Sequence, residues 1–292
     1  MIKINHISYR DRANILHEAL PYIQHFHGKT IVIKYGGNAM KSPRLQQSVM
    51  EDIVLLSTVG IKIVVVHGGG PEINEMLQAI GKESKFINGL RYTDEQTMDI
   101  VKMVLCGKIG KNLAQTINES GGKAISLSGL DGGIMQAKQQ SQELGLVGDT
   151  ITINPDAINL ALSGGYIPII STVASGYLSD LGKSYNINAD NAASEIAVAL
   201  GAEKLILLTD IEGLRSNPED ETTLVSKTNL SGMEKLINSG SVSGGMIPKL
   251  ECCKEAIERG VKHVHILDGR YPHSILIELF TKQGMGTMIT RK

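Results

Sequence analysis

Glycine-containing loops carry the residues of this sequence that could do chemistry. Lys34 is followed by Gly36 and Gly37, and His67 is followed by three glycines at 68–70. Glycines leave room for a ligand close to the backbone, and backbone N–H groups at the start of a helix bind anions. A lysine ammonium group adds a compact positive charge. These loops therefore predict a site for a phosphate group or another anion.

The usual phosphate-binding motifs are absent from the sequence. Gly-Lys-Thr at 28–30 and Gly-Lys-Ser at 182–184 resemble the end of a P-loop, but Ile23 and Tyr177 replace its first glycine. No Gly-x-Gly-x-x-Gly motif occurs, which weakens a dinucleotide-binding interpretation. The candidate residues instead lie in five separate loops, at 34–37, 67–70, 186–190, 209–213 and 244–249.

The elements that must position these loops alternate between short apolar runs and helical patterns. Strands are predicted at 30–35, 61–67, 122–129, 166–172, 204–210 and 263–267, with a hairpin within 131–153 and a short edge strand within 284–289. Helices are predicted at 8–27, 44–59, 93–119, 155–163, 189–201 and 246–259, with another starting near Pro71 and a Ser/Gly-rich loop at 239–245. The alternation predicts a parallel α/β sheet, in which loops at the carboxyl ends of the strands meet at one edge.

The helix at 8–27 precedes the first strand and lies outside this alternation. Ser8 and Asp11 are spaced like a capping box, and Pro21 is expected to kink the helix or to end its first part. Apolar residues at 9, 13, 16, 20 and 23 share one face of the helix. This face predicts either an arm for docking or oligomerisation or a helix that packs on its own domain.

Composition argues against several classes of function. The chain has 292 residues, 29 Lys and Arg against 30 Asp and Glu, and a net charge of -1. It therefore lacks the broad basic surface that nucleic acid or an anionic membrane would require. No apolar run reaches the ~20 residues of a membrane span, and the first ten residues do not resemble an export signal. We therefore expect a cytoplasmic protein.

The spacing of cysteine and histidine predicts no metal site. Cys106, Cys252 and Cys253 are too few for a disulfide framework and lack the CxxC spacing of zinc ligands, so reduced structural thiols are expected. His263 and His265 would share one face of a strand. Without a third ligand nearby in the sequence, a packing role is favoured for both histidines.

Six motifs in these loops together resemble a known family. They are KYGG at 34–37, VVVHGGGP at 64–71, GLRYT at 89–93, NINAD at 186–190, TDIEGL at 209–214 and GGMIPK at 244–249. In this order they resemble the amino acid kinase family, and within it the members that act on N-acetyl-L-glutamate. The resemblance extends over nearly the whole chain, from Ile31 to Ile289.

The resemblance implies a fold and a division of the chain. The fold would be a three-layer αβα sandwich around a largely parallel open sheet. An N-terminal helical arm would occupy residues 1–28, and an N-terminal lobe at 29–185 would bind the amino-acid substrate and form dimers. A C-terminal lobe at 186–292 would bind ATP and hold any arginine site. Because no linker marks a boundary near 176–190, the two halves are expected to share one sheet.

The resemblance also implies an activity, with ATP and Mg²⁺ as cofactors. The γ-carboxylate of N-acetyl-L-glutamate would be phosphorylated, the second step of arginine biosynthesis. Lys34 and Lys249 would flank the transferred phosphoryl group, and Asp190 would hold both lysines. The residues expected to bind the substrate are Gly69, Gly70, Arg91 and Asn186. Those expected beside the nucleotide are Thr209, Asp210, Gly213, Gly245 and Met246.

Regulation is a further implication. Family members that arginine inhibits carry a helix before the first strand, which interlocks dimers into a hexameric ring. This chain is therefore expected to form a homo-oligomer, either a dimer or a hexamer built as a trimer of dimers. His265, Glu278 and Gly286 match positions near the arginine site, although Glu278 could instead lie on a helix surface. Some relatives also bind the signal protein PII.

Two alternatives stay open. The chain could be another kinase of the family, acting on aspartate, glutamate, carbamate or UMP, or it could be a non-catalytic sensor that binds a small molecule.

Overall fold

The computed structural model describes residues 8–40, 42–242 and 244–292. Residues 1–7 of the expected N-terminal arm and Ser243 of the expected Ser/Gly-rich loop lie outside the described residues. The strands are β1 (Thr30–Tyr35), β2 (Lys62–His67), β3 (Phe86–Ile87), β4 (Leu90–Arg91), β5 (Ala124–Ser128), β6 (Met135–Gln139), β7 (Gly148–Ile153), β8 (Ile167–Ser171), β9 (Val173–Gly176), β10 (Ser184–Asn186), β11 (Lys204–Thr209), β12 (Lys227–Asn229), β13 (His263–Asp268) and β14 (Thr287–Thr290). The α-helices are α1 (Tyr9–Phe26), α2 (Pro43–Thr58), α3 (Gly70–Ala79), α4 (Glu95–Lys102), α5 (Gly110–Glu119), α6 (Asp156–Ser163), α7 (Ala189–Ala199), α8 (Leu230–Asn238), α9 (Met246–Glu258) and α10 (Ser274–Phe280).

Eight strands form one sheet, in the order β12-β14-β13-β11-β1-β2-β8-β5. The six strands from β13 to β5 are parallel, whereas β14 pairs antiparallel with β13, and β12 runs parallel to β14. β11 lies directly against β1, so strands from both halves of the chain share the sheet. The prediction of a largely parallel sheet shared by both halves is confirmed.

Two apolar cores lie on opposite faces of this sheet. Side chains alternate along a strand, so Ile31 and Ile33 of β1 enter one core and Val32 enters the other. Helices α2, α3, α4, α5 and α10 cover the first core, and α6, α7 and α9 cover the second. The three-layer αβα arrangement is confirmed. The central strands are apolar throughout because both of their faces are buried.

The expected edge position of the C-terminal strand is wrong. β14 lies between β13 and β12, so it is covered on both sides. The neighbour that covers it, β12, has only three residues, Lys-Thr-Asn, at 227–229. So short and polar a run has no apolar alternation that would mark it as a strand.

The long helix expected at 93–119 contains a change of helical type. It begins at Glu95, because the side chain of Asp94 caps it by accepting a hydrogen bond from Thr97 N. Residues Met103–Ile109 form a π-helical segment between α4 and α5. Such segments are common at functional sites and have no simple sequence signature.

Helix α1 packs on its own domain at its C-terminal end, and its role as a docking or oligomerisation arm stays a prediction. The cap is confirmed, since Ser8 Oγ accepts a hydrogen bond from Asp11 N at 3.1 Å, and the helix continues through Pro21 rather than ending there. Its C-terminal part packs on the chain's own core through Phe26, whereas Leu16 is 75% exposed. No helix among the described residues is long and apolar enough to cross a membrane.

Several short elements carry no clear signal in the sequence. The hairpin expected within 131–153 is confirmed as β6 and β7, but it belongs to a four-stranded sheet, β10-β9-β6-β7. The strands β9 and β10 of that sheet and the two-residue pair β3 and β4 were not expected. All four have four residues or fewer, too few for periodicity to appear.

A hydrogen-bonded pair, buried on the Asp52 side, joins α2 to the start of α10. His273 Nδ1 lies 2.6 Å from Asp52 Oδ1, and the Asp52 side chain is only 1% exposed. Burial raises the pKa of Asp52 to about 6, despite the opposing effect of His273. The two helices cover the same core, so this pair contributes to how they pack.

The folded protein should therefore lose stability as this carboxyl group ionises. Between the usual pKa of an aspartate, 3.8, and about 6, the folded chain holds a proton that the unfolded chain has released, so the free energy of unfolding falls as pH rises. Asp52→Asn lacks this carboxyl group and should not show the fall. The free energy of unfolding of Asp52→Asn minus that of the original chain should therefore be larger at pH 8 than at pH 5, by on the order of 1–3 kcal/mol. Urea unfolding at the two pH values measures this. The exposed Asp156→Asn is the control, and equal effects of Asp52→Asn at both pH values would contradict the prediction.

Candidate active site

Three charged side chains from distant parts of the sequence meet at the carboxyl edge of the sheet. Lys34, near the end of β1, places Nζ 2.9 Å from Asp190 Oδ1. Lys249, in the first turn of α9, binds the other oxygen of the same carboxylate, Oδ2. Asp190 lies in the first turn of α7, where Asn188 caps the helix by accepting hydrogen bonds from the backbone N–H groups of 190 and 191. We call these three side chains the charge cluster.

The charge cluster is largely shielded from water. The side chains of Lys34 and Asp190 are 10% and 9% exposed, and that of Lys249 is 24% exposed. Burial alone would raise the pKa of Asp190, but the two ammonium groups lower it below its usual value. The cluster therefore holds two positive charges and one negative charge, and its excess positive charge can attract an anion.

One of the two glycines beside the cluster is required by close approach. A Cβ atom on Gly36 would make only ordinary contact, 3.4 Å from Cε and Nζ of Lys34. A Cβ atom on Gly69 would lie 2.2 Å from Cδ1 of Ile109 and 2.7 Å from Cδ2 of Leu105, both in the π-helical segment. Gly69 therefore lets the start of α3 lie against that segment.

A cleft of about 260 Å³ opens beside Lys34. Every residue expected to bind the substrate lines this cleft, although these residues lie up to 117 positions apart in the sequence. Those residues are Gly69, Gly70, Arg91 and Asn186. Apolar side chains complete the wall, among them Ile73, Leu105, Val147 and Ile187. Among the described residues that line this first cleft there is no aspartate or glutamate.

Arg91 supplies a second cation to the first cleft. It lies on β4 and is 7% exposed, and its Nη2 donates a hydrogen bond to the carbonyl oxygen of Gly70 at 3.1 Å. Burial lowers its pKa, but a guanidinium group stays charged in proteins. Asn186 donates through Nδ2 to Thr93 Oγ1 at 3.2 Å, which fixes its amide at the cleft wall.

His67 supports the glycine loop, a role that sequence reasoning did not assign. The ring is fully buried, with Nδ1 3.0 Å from the carbonyl oxygen of Gly68 and Nε2 3.0 Å from Ser171 Oγ. Burial lowers its pKa to about 4, so the ring is neutral near pH 7. Its position at the end of a buried strand, before three glycines, was the available signal.

A second cleft, of about 440 Å³, lies among loops of the C-terminal half. Of the residues expected beside the nucleotide, Asp210, Gly213 and Met246 line it. Thr209 and Gly245 do not. Thr209 Oγ1 instead donates to the carbonyl oxygen of Ile211 at 3.1 Å and so shapes the turn after β11. Gly245 precedes the first turn of α9.

Two arginines of the second cleft were missed from the sequence. Arg215 and Arg270 both line it. Arg270 pairs with Asp268 at the end of β13, with Nη2 2.9 Å from Oδ2. Both arginines follow turns at the carboxyl edge of the sheet, which is the signal that could have found them.

The residues expected near an arginine site meet beside a third cleft, of about 290 Å³. Glu278 and Gly286 line it, and His265 lies behind, with Nδ1 2.7 Å from Glu278 Oε1. The Glu278 side chain is 10% exposed, so the alternative of a helix-surface glutamate is wrong. Glu278 Oε2 accepts a hydrogen bond from Met285 N at 2.6 Å, which holds the carboxylate against the loop that carries Gly286.

The three cysteines form no disulfide bond with one another in the structure. Cys106, Cys252 and Cys253 are unpaired, and burial raises the pKa of Cys252 to about 12. Within residues 8–40, 42–242 and 244–292, no group of three or more His, Cys, Asp or Glu side chains is placed to hold a metal ion.

Comparison with known proteins identifies the family. Residues 29–268 match the amino acid kinase family. The chain is 54% identical over 283 residues to the acetylglutamate kinase of Thermoanaerobacter pseudethanolicus, covering 96% of this chain and 94% of that protein. It is also 54% identical to the acetylglutamate kinase of Clostridioides difficile, covering 97% of this chain and 98% of that protein. The chain belongs to the amino acid kinase family.

Solved structures agree with this assignment. N-acetylglutamate synthase from Neisseria gonorrhoeae, complexed with coenzyme A and N-acetylglutamate, superposes with a TM-score of 0.84 and 26% identity. That match covers 98% of this chain but only 64% of the synthase. Carbamate kinase from Giardia shares the fold, with a TM-score of 0.68, 19% identity and coverage of 91% and 99%.

The charge cluster makes a prediction about stability that does not depend on turnover. Asp190→Asn leaves two ammonium groups close together without their carboxylate, and removing one partner of a buried ion pair costs about 3–5 kcal/mol. We expect a lower Tm, and we expect sulfate to raise the Tm of this variant more than that of the original chain. Differential scanning calorimetry with and without sulfate measures both effects.

Asp99→Asn is the matched control, because the Asp99–Lys102 pair is exposed on both sides. A sulfate response of Asp190→Asn no larger than that of the control would contradict the prediction.

Proposed function

We propose that this protein transfers the γ-phosphoryl group of ATP to the γ-carboxylate of N-acetyl-L-glutamate. The products are N-acetyl-L-glutamyl 5-phosphate and ADP, and the reaction is the second step of arginine biosynthesis. The observation that carries this proposal is the first cleft, which combines Lys34, Arg91 and the glycines at 68–70 with no acidic side chain among its described lining. Relatives with acetylglutamate kinase activity, at 54% identity over nearly the full length, support it.

The chemistry suits the charge cluster. A carboxylate is ionised near pH 7, so the nucleophile needs no general base. One of its oxygens forms a bond to the γ-phosphorus, the bond from that phosphorus to the β,γ-bridging oxygen breaks, and ADP leaves with the electron pair. The main barrier is the repulsion between two anions. Lys34 and Lys249 would offset it, since a charge pair at 4 Å is worth about 4 kcal/mol at an effective dielectric constant of 20.

Asp190 would act as a positioning residue in this scheme. By binding both ammonium groups, one on each carboxylate oxygen, it fixes their separation and keeps them together before the substrates arrive. Donors that are already oriented need no reorganisation when the phosphoryl group moves.

The lining of the first cleft supports an acetylated substrate over a free amino acid. A free α-amino group is a cation near pH 7 and loses its hydration when it enters a cleft. No described residue of the lining offers a carboxylate to pair with it. An acetylated nitrogen is neutral, and its methyl group can contact the apolar part of the wall. Arg91 is suited to bind the carboxylate that is not phosphorylated.

ATP would occupy the second cleft, so the N-terminal lobe at 29–185 would bind the substrate and the C-terminal lobe at 186–292 would bind the nucleotide. The first cleft extends slightly into the C-terminal lobe through Asn186 to Ala189. Asp190 is already bound by two lysines, so the phosphates of ATP are the natural ligands for Mg²⁺. Mg²⁺ bound there would supply further positive charge beside the transferred group.

The assay that tests this function traps the acyl phosphate with hydroxylamine. With purified protein and Mg-ATP, we expect a hydroxamate signal with N-acetyl-L-glutamate and none with glutamate, aspartate or carbamate. Glutamate and aspartate would bring an ammonium group that no carboxylate of the lining can pair with. Carbamate has only one carboxylate, so it leaves none for Arg91. A signal with one of the other acceptors would assign a different kinase of the family. No signal with any acceptor, from folded protein, would favour a nucleotide kinase or a sensor.

Lysine variants in the same assay link the reaction to the charge cluster. Lys34→Ala and Lys249→Ala should each lower kcat by roughly 10²- to 10³-fold, as expected for loss of one preoriented donor. Lys254→Ala is the control, since Lys254 lies on the same helix, α9, but pairs with Glu234 at the surface. Near-normal turnover of either cluster variant would contradict its role.

We extend the proposal to regulation by arginine at the third cleft. Glu278 could bind a guanidinium group there, and Tyr22 of α1 lines the same cleft, which would connect the ligand to the N-terminal arm. The exposed apolar side chains of α1, among them Tyr9, Ile15, Leu16 and Leu20, support its use in a hexamer built as a trimer of dimers. Binding of the PII protein and a cytoplasmic location stay predictions.

Arginine should inhibit the kinase reaction, and Glu278→Gln should abolish that inhibition because a neutral amide binds a guanidinium group far more weakly than a carboxylate does. Activity without arginine should change little. The exposed Glu251→Gln serves as the control and should stay inhibited. Full arginine inhibition of Glu278→Gln would contradict this site.

A further inference from the structure

Three neighbouring groups hold the guanidinium group of Arg91. Its guanidinium carbon lies 4.7 Å from the centre of the Phe86 ring, which is its direct partner in the β3–β4 pair. Its Nη2 donates to the carbonyl oxygen of Gly70 at 3.1 Å, and its Nη1 donates to Ser84 Oγ at 2.8 Å. The two hydrogen bonds hold the guanidinium group within its plane, and the Phe86 ring packs against its face.

The hydroxyl group of Ser84 connects Arg91 to α3. Ser84 Oγ donates its one hydrogen to Asn74 Oδ1 at 2.7 Å, so only its lone pairs remain, and these accept the hydrogen from Arg91. Asn74 lies on α3, the helix that begins at Gly70 in the glycine loop. The chain Asn74–Ser84–Arg91 thus ties the guanidinium group to the helix that borders the cleft.

The loop that carries Ser84 is itself held at its base. Lys82 Nζ lies 2.7 Å from Asp94 Oδ1 and 2.6 Å from Oδ2, and Asp94 caps α4. The position of the Ser84 hydroxyl group is therefore set by two helices, α3 through Asn74 and α4 through Asp94.

The guanidinium group of Arg91 keeps enough free N–H donors to bind a carboxylate. A guanidinium group has five N–H donors, of which the structure uses two, one to Ser84 and one to Gly70. Three remain, and a two-point contact with a carboxylate needs two. An arginine side chain that is free to rotate loses rotamer entropy when it binds a ligand. A side chain that is already fixed loses less.

We infer that Ser84 and Asn74 are positioning residues for the substrate, acting through Arg91. They orient the guanidinium group so that its free N–H donors face the carboxylate of N-acetyl-L-glutamate that is not phosphorylated. This inference rests on the proposed function. Since that carboxylate does not react, its contact is the same in the ground state and the transition state, so its loss raises KM and leaves kcat unchanged.

Steady-state kinetics of Ser84→Ala test this role. The KM for N-acetyl-L-glutamate should rise roughly 5- to 20-fold, at or below the lower end of the range for loss of one hydrogen bond to a charged group, because Ser84 acts through Arg91 rather than on the substrate. The kcat and the KM for ATP should not change. Ser84→Thr keeps a hydroxyl group and should restore a near-normal KM, and Asn74→Ala should raise KM in the same direction but by less. Titration calorimetry with N-acetyl-L-glutamate should show the same loss of affinity without turnover.

A double-mutant comparison separates action through Arg91 from a general effect on the loop. In an Arg91→Lys background, Ser84→Ala should add little to KM, because the lysine cannot make the same in-plane contact. Ser163→Ala is the matched control, since the Ser163 hydroxyl group donates only to the carbonyl oxygen of Leu160 within α6.

The outcomes are distinguishable. An active original chain with an unchanged KM in Ser84→Ala would overturn the positioning role and leave the proposed function intact. A rise in the KM for ATP, or a fall in kcat at an unchanged KM for the acetylated substrate, would also overturn it. An original chain without activity on N-acetyl-L-glutamate would overturn the proposed function and this inference with it.

Discussion

The ion pairs between Asp190 and the two lysines are the interaction on which the rest of the site depends. Two ammonium groups in a poorly hydrated space repel each other, and the carboxylate between them makes their approach favourable. Its low pKa follows from the same contacts, so it stays ionised over the pH range in which proteins are usually stable. In the proposed reaction, the remaining positive charge would attract the incoming phosphoryl group.

The parallel sheet is what brings the three charged residues together. Lys34 comes from β1, and Asp190 and Lys249 come from the starts of α7 and α9, the helices that lead into β11 and β13. The strands β13, β11 and β1 are parallel neighbours in the sheet. Parallel strands open their carboxyl ends at one edge, so residues more than 200 positions apart can meet without a special connection. The glycine at 69 then lets the start of α3 lie against the π-helical segment.

Much of this could be predicted from sequence, for a physical reason. Buried parallel strands are continuous apolar runs such as TIVIKY, and each ends in a loop whose glycines mark a close approach. The same reasoning could place Lys34 and Gly69 at one edge, but it could not show that Lys34 pairs with Asp190, because pairing depends on side-chain geometry across three elements. The roles of Lys249 and Asp190 came from resemblance to a family rather than from spacing.

The features that the sequence could not predict are elements too short for periodicity or contacts between residues far apart in the chain. β12 is too short for periodicity, the π-helical segment has the same composition as an α-helix, and the Asp52–His273 pair joins positions 221 residues apart. Glu278 could have been a surface residue on its helix, and only the packing of α10 against β13 buries it beside His265. Ser84 and Asn74 are ordinary loop and helix residues until the fold brings them to Arg91.

In the proposed reaction, Lys34 and Lys249 together hold the transferred phosphoryl group. A crystal structure with N-acetyl-L-glutamate, Mg²⁺ and a non-hydrolysable ATP analogue tests it most directly. The account predicts both Nζ atoms within about 3.2 Å of γ-phosphate oxygens, with a carboxylate oxygen of the acetylated substrate facing the γ-phosphorus. A γ-phosphate bound beyond hydrogen-bond reach of both lysines, with the substrate ordered in the first cleft, would contradict it.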